Sequence, residues 1–205
     1  MNLVFIGPQA SGKGTQAKIV ANELGLVHIS TGDLVRGATG DLKLKIDGYI
    51  NKGNLVPDEL MIEILKKRLE LEEEKGKGFI LDGFPRNLVQ ARELEKITQI
   101  DKFVEISISD EEALKRLSGR VNCTNCGMSY NLVTSPKPKK GGVCDKCGEK
   151  LYKREDDNEE AIKKRLEIYH NETELILKEY PSVNINGEQS IEEVTKDVLE
   201  ELEKD

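Results

Sequence analysis

Two groups of residues in this chain have the types and spacing to do chemistry. The first is Leu3-Val-Phe-Ile-Gly7-Pro-Gln-Ala-Ser-Gly12-Lys13-Gly14-Thr15. A short apolar run ends in a glycine-punctuated turn. A helical pattern follows, Ala17, Val20, Ala21 and Leu24, stopped by Gly25. Strand, glycine loop and helix form the setting in which G-x-x-x-x-G-K binds phosphate. Gly7 and Gly12 permit backbone angles that a Cβ opposes. Successive N–H groups then turn inward as an anion-binding nest at a helix N-terminus. Lys13 brings a full charge to the outer phosphates, and Thr15 a hydroxyl near the metal. Gly14 stretches the usual G-K-[ST] ending to G-K-G-T.

The second group is Cys123-Thr-Asn-Cys126-Gly127 and Cys144-Asp-Lys-Cys147-Gly148. Two C-x₂-C knuckles at this separation can bring four thiolates to a tetrahedral Zn²⁺. The protein fills all four positions, so such a zinc is structural. It would stiffen a segment of about 35 residues that is too poor in apolar groups to fold alone. Two disulfides, a redox pair or a zinc ribbon for nucleic acid are the alternatives, and iron competes with zinc for a Cys₄ site. The loop between, Ser135 to Gly142, reads as mobile surface.

Other candidates depend on the elements that carry them. Gly78-Phe-Ile-Leu-Asp82-Gly-Phe-Pro85-Arg86 reads as a second buried strand ending in an acid. Ligands gather at the carboxyl ends of parallel strands, so Asp82 is placed to hold Mg²⁺ or its water. Arg116 and Arg120, four apart, fall on one helical face, and Gly119 breaks that helix. Arg165 lies at the edge of the stripe Ile162, Leu166, Tyr169, Ile176 on a long helix, Ala161 to Tyr180. His28 receives no role, and His170 reads as surface without a partner.

Val27–Ile29, Phe103–Ile108 and 182–186 read as further strands. Ser30 to Asp33 looks like an N-cap, Pro57-Asp58-Glu59 opens a helix, and Ser109 to Glu112 reads as a capping box. Residues 37–56 read as a small helical flap. The run from Glu70 to Lys75 reads as a solvated helix end, Gln90 to Ile97 as a helix, and 190–204 as the last helix. Five strands alternating with helices imply a doubly wound parallel sheet.

Hydrophobic residues make up 37% and charged residues 34% of the 205 positions, enough for a real core under a charged surface. The net charge of −7 argues against general nucleic-acid binding. No stretch has the length of a membrane span or the form of a signal peptide, so a cytoplasmic protein is expected.

Taken together, the sequence resembles the adenylate kinases of the long-lid bacterial type. The resemblance rests on Gly12-Lys-Gly-Thr-Gln-Ala17, His28-Ile-Ser-Thr-Gly-Asp33, Asp82-Gly-Phe-Pro-Arg86, Gly119-Arg120 and Arg154-Glu-Asp-Asp157, and it runs over essentially the whole chain. It implies an α/β fold: a P-loop nucleoside monophosphate kinase with a five-stranded parallel sheet, helices on both faces and two small inserted domains. The core would comprise 1–29, 59–120 and 158–205. An AMP-binding insertion would span 30–58, and a zinc-binding lid 121–157.

The implied reaction is reversible phosphoryl transfer from Mg-ATP to AMP, giving two ADP in a monomeric enzyme. By the resemblance, Gly12, Lys13, Gly14 and Thr15 hold the ATP phosphates, while Arg116 and Gln189 lie at its adenine. Thr31, Arg36, Arg86 and Gln90 bind AMP. Arg120, Arg154 and Arg165 neutralise the transferring group, and Asp33 and Asp82 orient waters around Mg²⁺. Zinc falls to Cys123, Cys126, Cys144 and Cys147. Two positions depart from the family's pattern. Gln9-Ala10 replaces Pro-Gly in the loop. Asn87 stands where Thr is common, a feature shared with UMP/CMP kinases, which makes these pyrimidine nucleotides the alternative acceptors.

Overall fold

The computed structural model describes residues 1–50, 56–70, 76–154 and 157–204. Residues 51–55 of the flap, residues 71–75 and the pair Glu155-Asp156 from the readings above lie outside the described residues.

The chain begins with β1 (Asn2–Ile6), α1 (Lys13–Leu24) and β2 (Val27–Ser30), followed by three helices, α2 (Thr31–Arg36), α3 (Gly40–Ile50) and α4 (Asp58–Leu69). Next come β3 (Phe79–Asp82), α5 (Leu88–Ile97), β4 (Lys102–Ser107) and α6 (Asp110–Gly119). A small unit of β5 (Arg120–Cys123), β6 (Ser129–Asn131) and β7 (Leu151–Tyr152) interrupts the alternation. The chain returns through α7 (Glu159–Ile168), a π-helical turn (Tyr169–Thr173), α8 (Glu174–Glu179), β8 (Ser182–Asn186) and α9 (Ile191–Leu202).

The main sheet runs β2-β3-β1-β4-β8 with every pairing parallel. Alternation along β1 explains its unbroken apolar sequence. Val4 and Ile6 face one layer with Ile29, Leu81 and Phe103, while Leu3 and Phe5 face the other with Val20, Ile80, Val104 and Val198. A strand covered on both faces needs apolar residues at every position. The polar insertion makes no core of its own: α3 lends Ile46, fully buried, to the first layer. β5 pairs antiparallel with β6 and β7 in a separate three-stranded sheet.

Local chemistry differs from expectation in four places. α6 ends at Gly119, so Arg120 opens β5 in extended conformation and does not share a helical face with Arg116. The long helix is divided by the π-helical turn between α7 and α8. The Ser109 hydroxyl does accept from the Glu112 N–H, but the reciprocal bond of a capping box is replaced. The Ser109 N–H donates to Glu188, and the Glu112 carboxylate is held by Arg116 and Lys115. A complete box sits instead at Ser190 and Glu193, ahead of α9. His170 is not solitary: its ring nitrogens lie 2.6 Å from Glu174 and 2.9 Å from Asp110.

Candidate active site

A cavity of about 720 Å³ opens where the main sheet's carboxyl ends meet the two insertions. Every nucleotide-site residue expected from the sequence borders it. The loop after β1 forms its floor. Gly7 is required by close approach, because a Cβ there would run into the Ile106 carbonyl of β4. Gly12, at φ 97°, precedes α1 without a side-chain cap, leaving first-turn N–H groups for an anion. Gly14 brings α1 onto Asp82, whose Oδ2 would lie 2.8 Å from a Cβ at that position.

Ala10 takes φ 63°, the left-handed region. That conformation costs an L-residue roughly 1–2 kcal/mol. Its methyl packs beside Ala113, Leu117, Ile162 and Leu166, which returns up to about 0.8 kcal/mol. The contact offsets part of the cost of replacing the glycine the family usually places here.

Lys13 stays partly accessible as a residue, but its ammonium folds back and donates to the Pro8 carbonyl at 3.0 Å. Burial brings its pKa down to about 8. Asp82 opposes that shift, whereas Arg86, Arg120 and Arg165 add to it. Three arginines from separate segments therefore act on one amine. Burial would raise the pKa of Asp82, but the nearby His28 ring and the charges of Lys13 and Arg86 hold it below the usual range. The His28 Nε2 lies 3.6 Å from Asp82 Oδ2, so His28 has a place at the edge of this site.

Arg120 and Arg165 are arranged by a residue to which the sequence assigned nothing. The side chain of Asp157 is fully buried. It accepts from Arg120 Nε at 2.8 Å and Nη2 at 2.5 Å, and from Arg165 Nη2 at 3.1 Å. Burial disfavours its charge, yet the two guanidinium groups hold its pKa below the ordinary value. The only sequence signal was a carboxylate three residues after Arg154. Arg154 itself borders the same cavity.

Arg116 is stapled to the loop: it pairs with Glu112 at 2.8 Å and donates to the Gly187 carbonyl at 3.0 Å. Gln189 follows on that same segment, and its amide donates to Asp197 at 2.8 Å.

On the opposite side, Thr31 is buried and donates to the Asp82 carbonyl at 3.2 Å. Arg36 pairs with the exposed Asp33 at 2.7 Å. Arg86 Nε donates to the Gly83 carbonyl, and the Thr173 hydroxyl donates to the Arg86 carbonyl at 2.7 Å. Gln90 is buried in a network with Asp58, Asn87 and the Arg86 backbone. Asn87 is the N-cap of α5, so its side chain is engaged within the fold.

The four cysteine sulfurs lie within 4.8 Å of one another, with contacts of 3.4–3.6 Å. Sulfurs around a tetrahedral Zn²⁺ would be ~3.8 Å apart at ordinary Zn–S lengths, so the donor set fits a metal of that kind. Gly127 and Gly148 follow the knuckles at positive φ. The loop after β6 is tied down by the Asn131 N–H to the Pro136 carbonyl and the Lys139 N–H to Asp145.

A phosphate loop at the centre of a parallel sheet, flanked by two small insertions and faced by converging arginines, defines a P-loop nucleoside monophosphate kinase. The family model for adenylate kinase matches residues 5–185. An adenylate kinase of Caldicellulosiruptor saccharolyticus is 45% identical over 98% of this chain and 99% of its own. One from Bacillus licheniformis is 45% identical over 98% of both chains. A third, from Methanocella arvoryzae, is 44% identical over all of this chain and 99% of its own. The chain belongs to the adenylate kinase family.

Proposed function

We propose that this cavity performs ATP + AMP ⇌ 2 ADP by alignment and charge neutralisation. The observation that carries this reading is the placement of Arg86, Arg120 and Arg165, from separate segments, around the buried Lys13 amine in one cavity. That many cations in one cleft await a polyanion. An AMP phosphate oxygen is already ionised at neutral pH, so no general base is needed. Lys13 and the loop amides take the donor phosphates. Arg120, Arg154 and Arg165 face the transferring group, where planar, permanently charged forks suit phosphate oxygens. Arg36 and Arg86 take the AMP phosphate, with Thr31 and Gln90 at its base. Arg116 and Gln189 lie at the donor base. Mg²⁺, when bound with ATP, supplies further charge neutralisation, and Asp33 and Asp82 orient its waters.

The insertion at 30–58 closes over AMP and the segment 121–157 over ATP, excluding the water that would otherwise hydrolyse ATP. Cys123, Cys126, Cys144 and Cys147 hold a structural Zn²⁺. The working unit is a monomer.

The test is phosphoryl transfer from Mg-ATP to AMP, CMP, UMP and GMP in parallel, with Lys13→Ala as the blank. Turnover with AMP far above the others is expected, and preference for CMP or UMP would overturn the acceptor assignment. Arg120→Ala should lower kcat by about 10²-fold or more, the scale of other lost charge stabilisers. Unchanged turnover would remove that residue from the mechanism.

A further inference from the structure

Gln90 is 1% exposed, yet it borders the cavity. Its Oε1 accepts from the Arg86 backbone N–H at 2.8 Å, and its Nε2 donates to Asp58 Oδ1 at 2.7 Å. Asp58 is fixed in turn by Asn87 Nδ2, at 3.2 Å from Oδ1 and 3.1 Å from Oδ2. Asn87 Oδ1 meanwhile caps α5 through the Gln90 N–H at 2.8 Å. Asp58 and Asn87 are not among the residues that line the cavity.

This network fixes the sense of an otherwise ambiguous group. A primary amide reads a base edge in either of two orientations, related by a flip. Here the flip would set Nε2 against the Arg86 N–H, two donors facing each other. It would also set Oε1 against a carboxylate, two acceptors facing each other. Both mismatches would be buried, where unsatisfied polar groups are most costly. The backbone N–H holds only the oxygen end of that orientation, and the carboxylate holds the nitrogen end.

After these bonds the amide retains one N–H and one oxygen lone pair. A base that donates from an exocyclic amine and accepts at the adjacent ring nitrogen matches that pair. Adenine has this pattern. Hypoxanthine and guanine present the inverse, a ring N–H beside a carbonyl oxygen.

We propose that Asp58 is a positioning residue that sets acceptor specificity, locking the Gln90 amide so that the site takes a 6-aminopurine monophosphate over a 6-oxopurine one. This inference rests on the assignment of Gln90 to the acceptor base made above.

The experiment compares kcat/KM for AMP and for IMP, which differ only at the edge in question, with Mg-ATP as donor. Wild type, Asp58→Ala, Asp58→Asn and Gln90→Ala are measured alongside thermal midpoints. In Asp58→Ala the AMP-to-IMP ratio should fall by ~10-fold or more, the scale of one misdirected hydrogen bond in a reading site. The change should fall mainly in KM for the acceptor. Asp58→Asn keeps one acceptor oxygen for Gln90 and should lose less. A loss of kcat or melting temperature with an unchanged ratio would assign Asp58 to α4 stability alone and overturn the proposal. If Asp58→Ala does not fold, the ratio in Asp58→Asn decides: a ratio equal to wild type overturns the proposal. If Gln90→Ala collapses the ratio while both Asp58 variants retain it, the Gln90 assignment stands and the Asp58 proposal fails. If Gln90→Ala retains the ratio, the underlying assignment itself fails.

Discussion

At the scale of residues, the site is a balance between buried cations and an expected polyanion. The Lys13 amine, at about 8 in the free protein, is surrounded by arginines with Asp82 as the opposing charge. Bound phosphates would raise it again. Affinity for ATP is therefore complete well below pH 8 and falls as pH rises through the free value towards the bound one. Nucleotide binding near pH 8.5 should take up a proton, measurable by calorimetry in buffers of different ionisation enthalpy. Lys13→Gln should abolish that uptake. Arg86→Ala should raise the KM for AMP far more than the KM for ATP, which initial-rate kinetics would read directly. Its backbone is pinned by Gln90 and Thr173, so the substitution removes the guanidinium and leaves the turn in place.

At the scale of elements, the segment from α7 to α8 links the reaction path to the core. Arg165, Tyr169 and Thr173, four apart in succession, all border the cavity. The Tyr169 hydroxyl donates to Glu105 of β4 at 2.8 Å, and burial pushes its pKa up. On the outer side, His170 clamps the start of α6 through Asp110 and the start of α8 through Glu174. The Asp110 hydrogen bond, with Glu174 adding to it, raises the His170 pKa above 6.5. A raised pKa means that the stabilisation is complete below about pH 6.5 and is lost as pH rises through the folded value. His170→Gln should therefore lower the thermal midpoint more at pH 6 than at pH 8.5. The ring is 44% exposed, so solvent screening keeps the effect small.

At the scale of the molecule, two cores of unequal quality share one chain. The main sheet is covered by large apolar clusters on both faces. The small sheet is built around Val121, Cys123, Tyr130 and Cys144, so half of its buried cluster consists of prospective metal ligands. Metal binding there would be inseparable from folding. A chelator should therefore split thermal unfolding into two steps, the small sheet melting first. Hydrogen exchange should show early loss of protection in β5 and β6, with β1 and β4 unaffected. Coincident loss in both sheets would mean that the cysteine cluster supports the whole fold. Among the described residues no helix is long and apolar enough to cross a membrane.

The features legible in the sequence are those whose chemistry is contiguous. The phosphate loop, the strands around it and the cysteine knuckles each need neighbours only a few positions away, so spacing alone specifies them. The arginines could be recognised as a set only through resemblance, because they come from separate segments. Tertiary structure decided the partners. Asp157 meets Arg120 across 37 positions, His170 meets Asp110 across 60, and Gln90 meets Asp58 across 32. No periodicity encodes such pairs; they arise when parallel crossovers bring distant strand and helix ends to one edge of the sheet. The capping box expected at Ser109 failed partly for the same reason: Glu188, 79 positions away, took the Ser109 N–H, while Arg116, a local i,i+4 partner, drew Glu112 away. A local rule gives the groups available for bonding, whereas the fold determines which of them lie within reach.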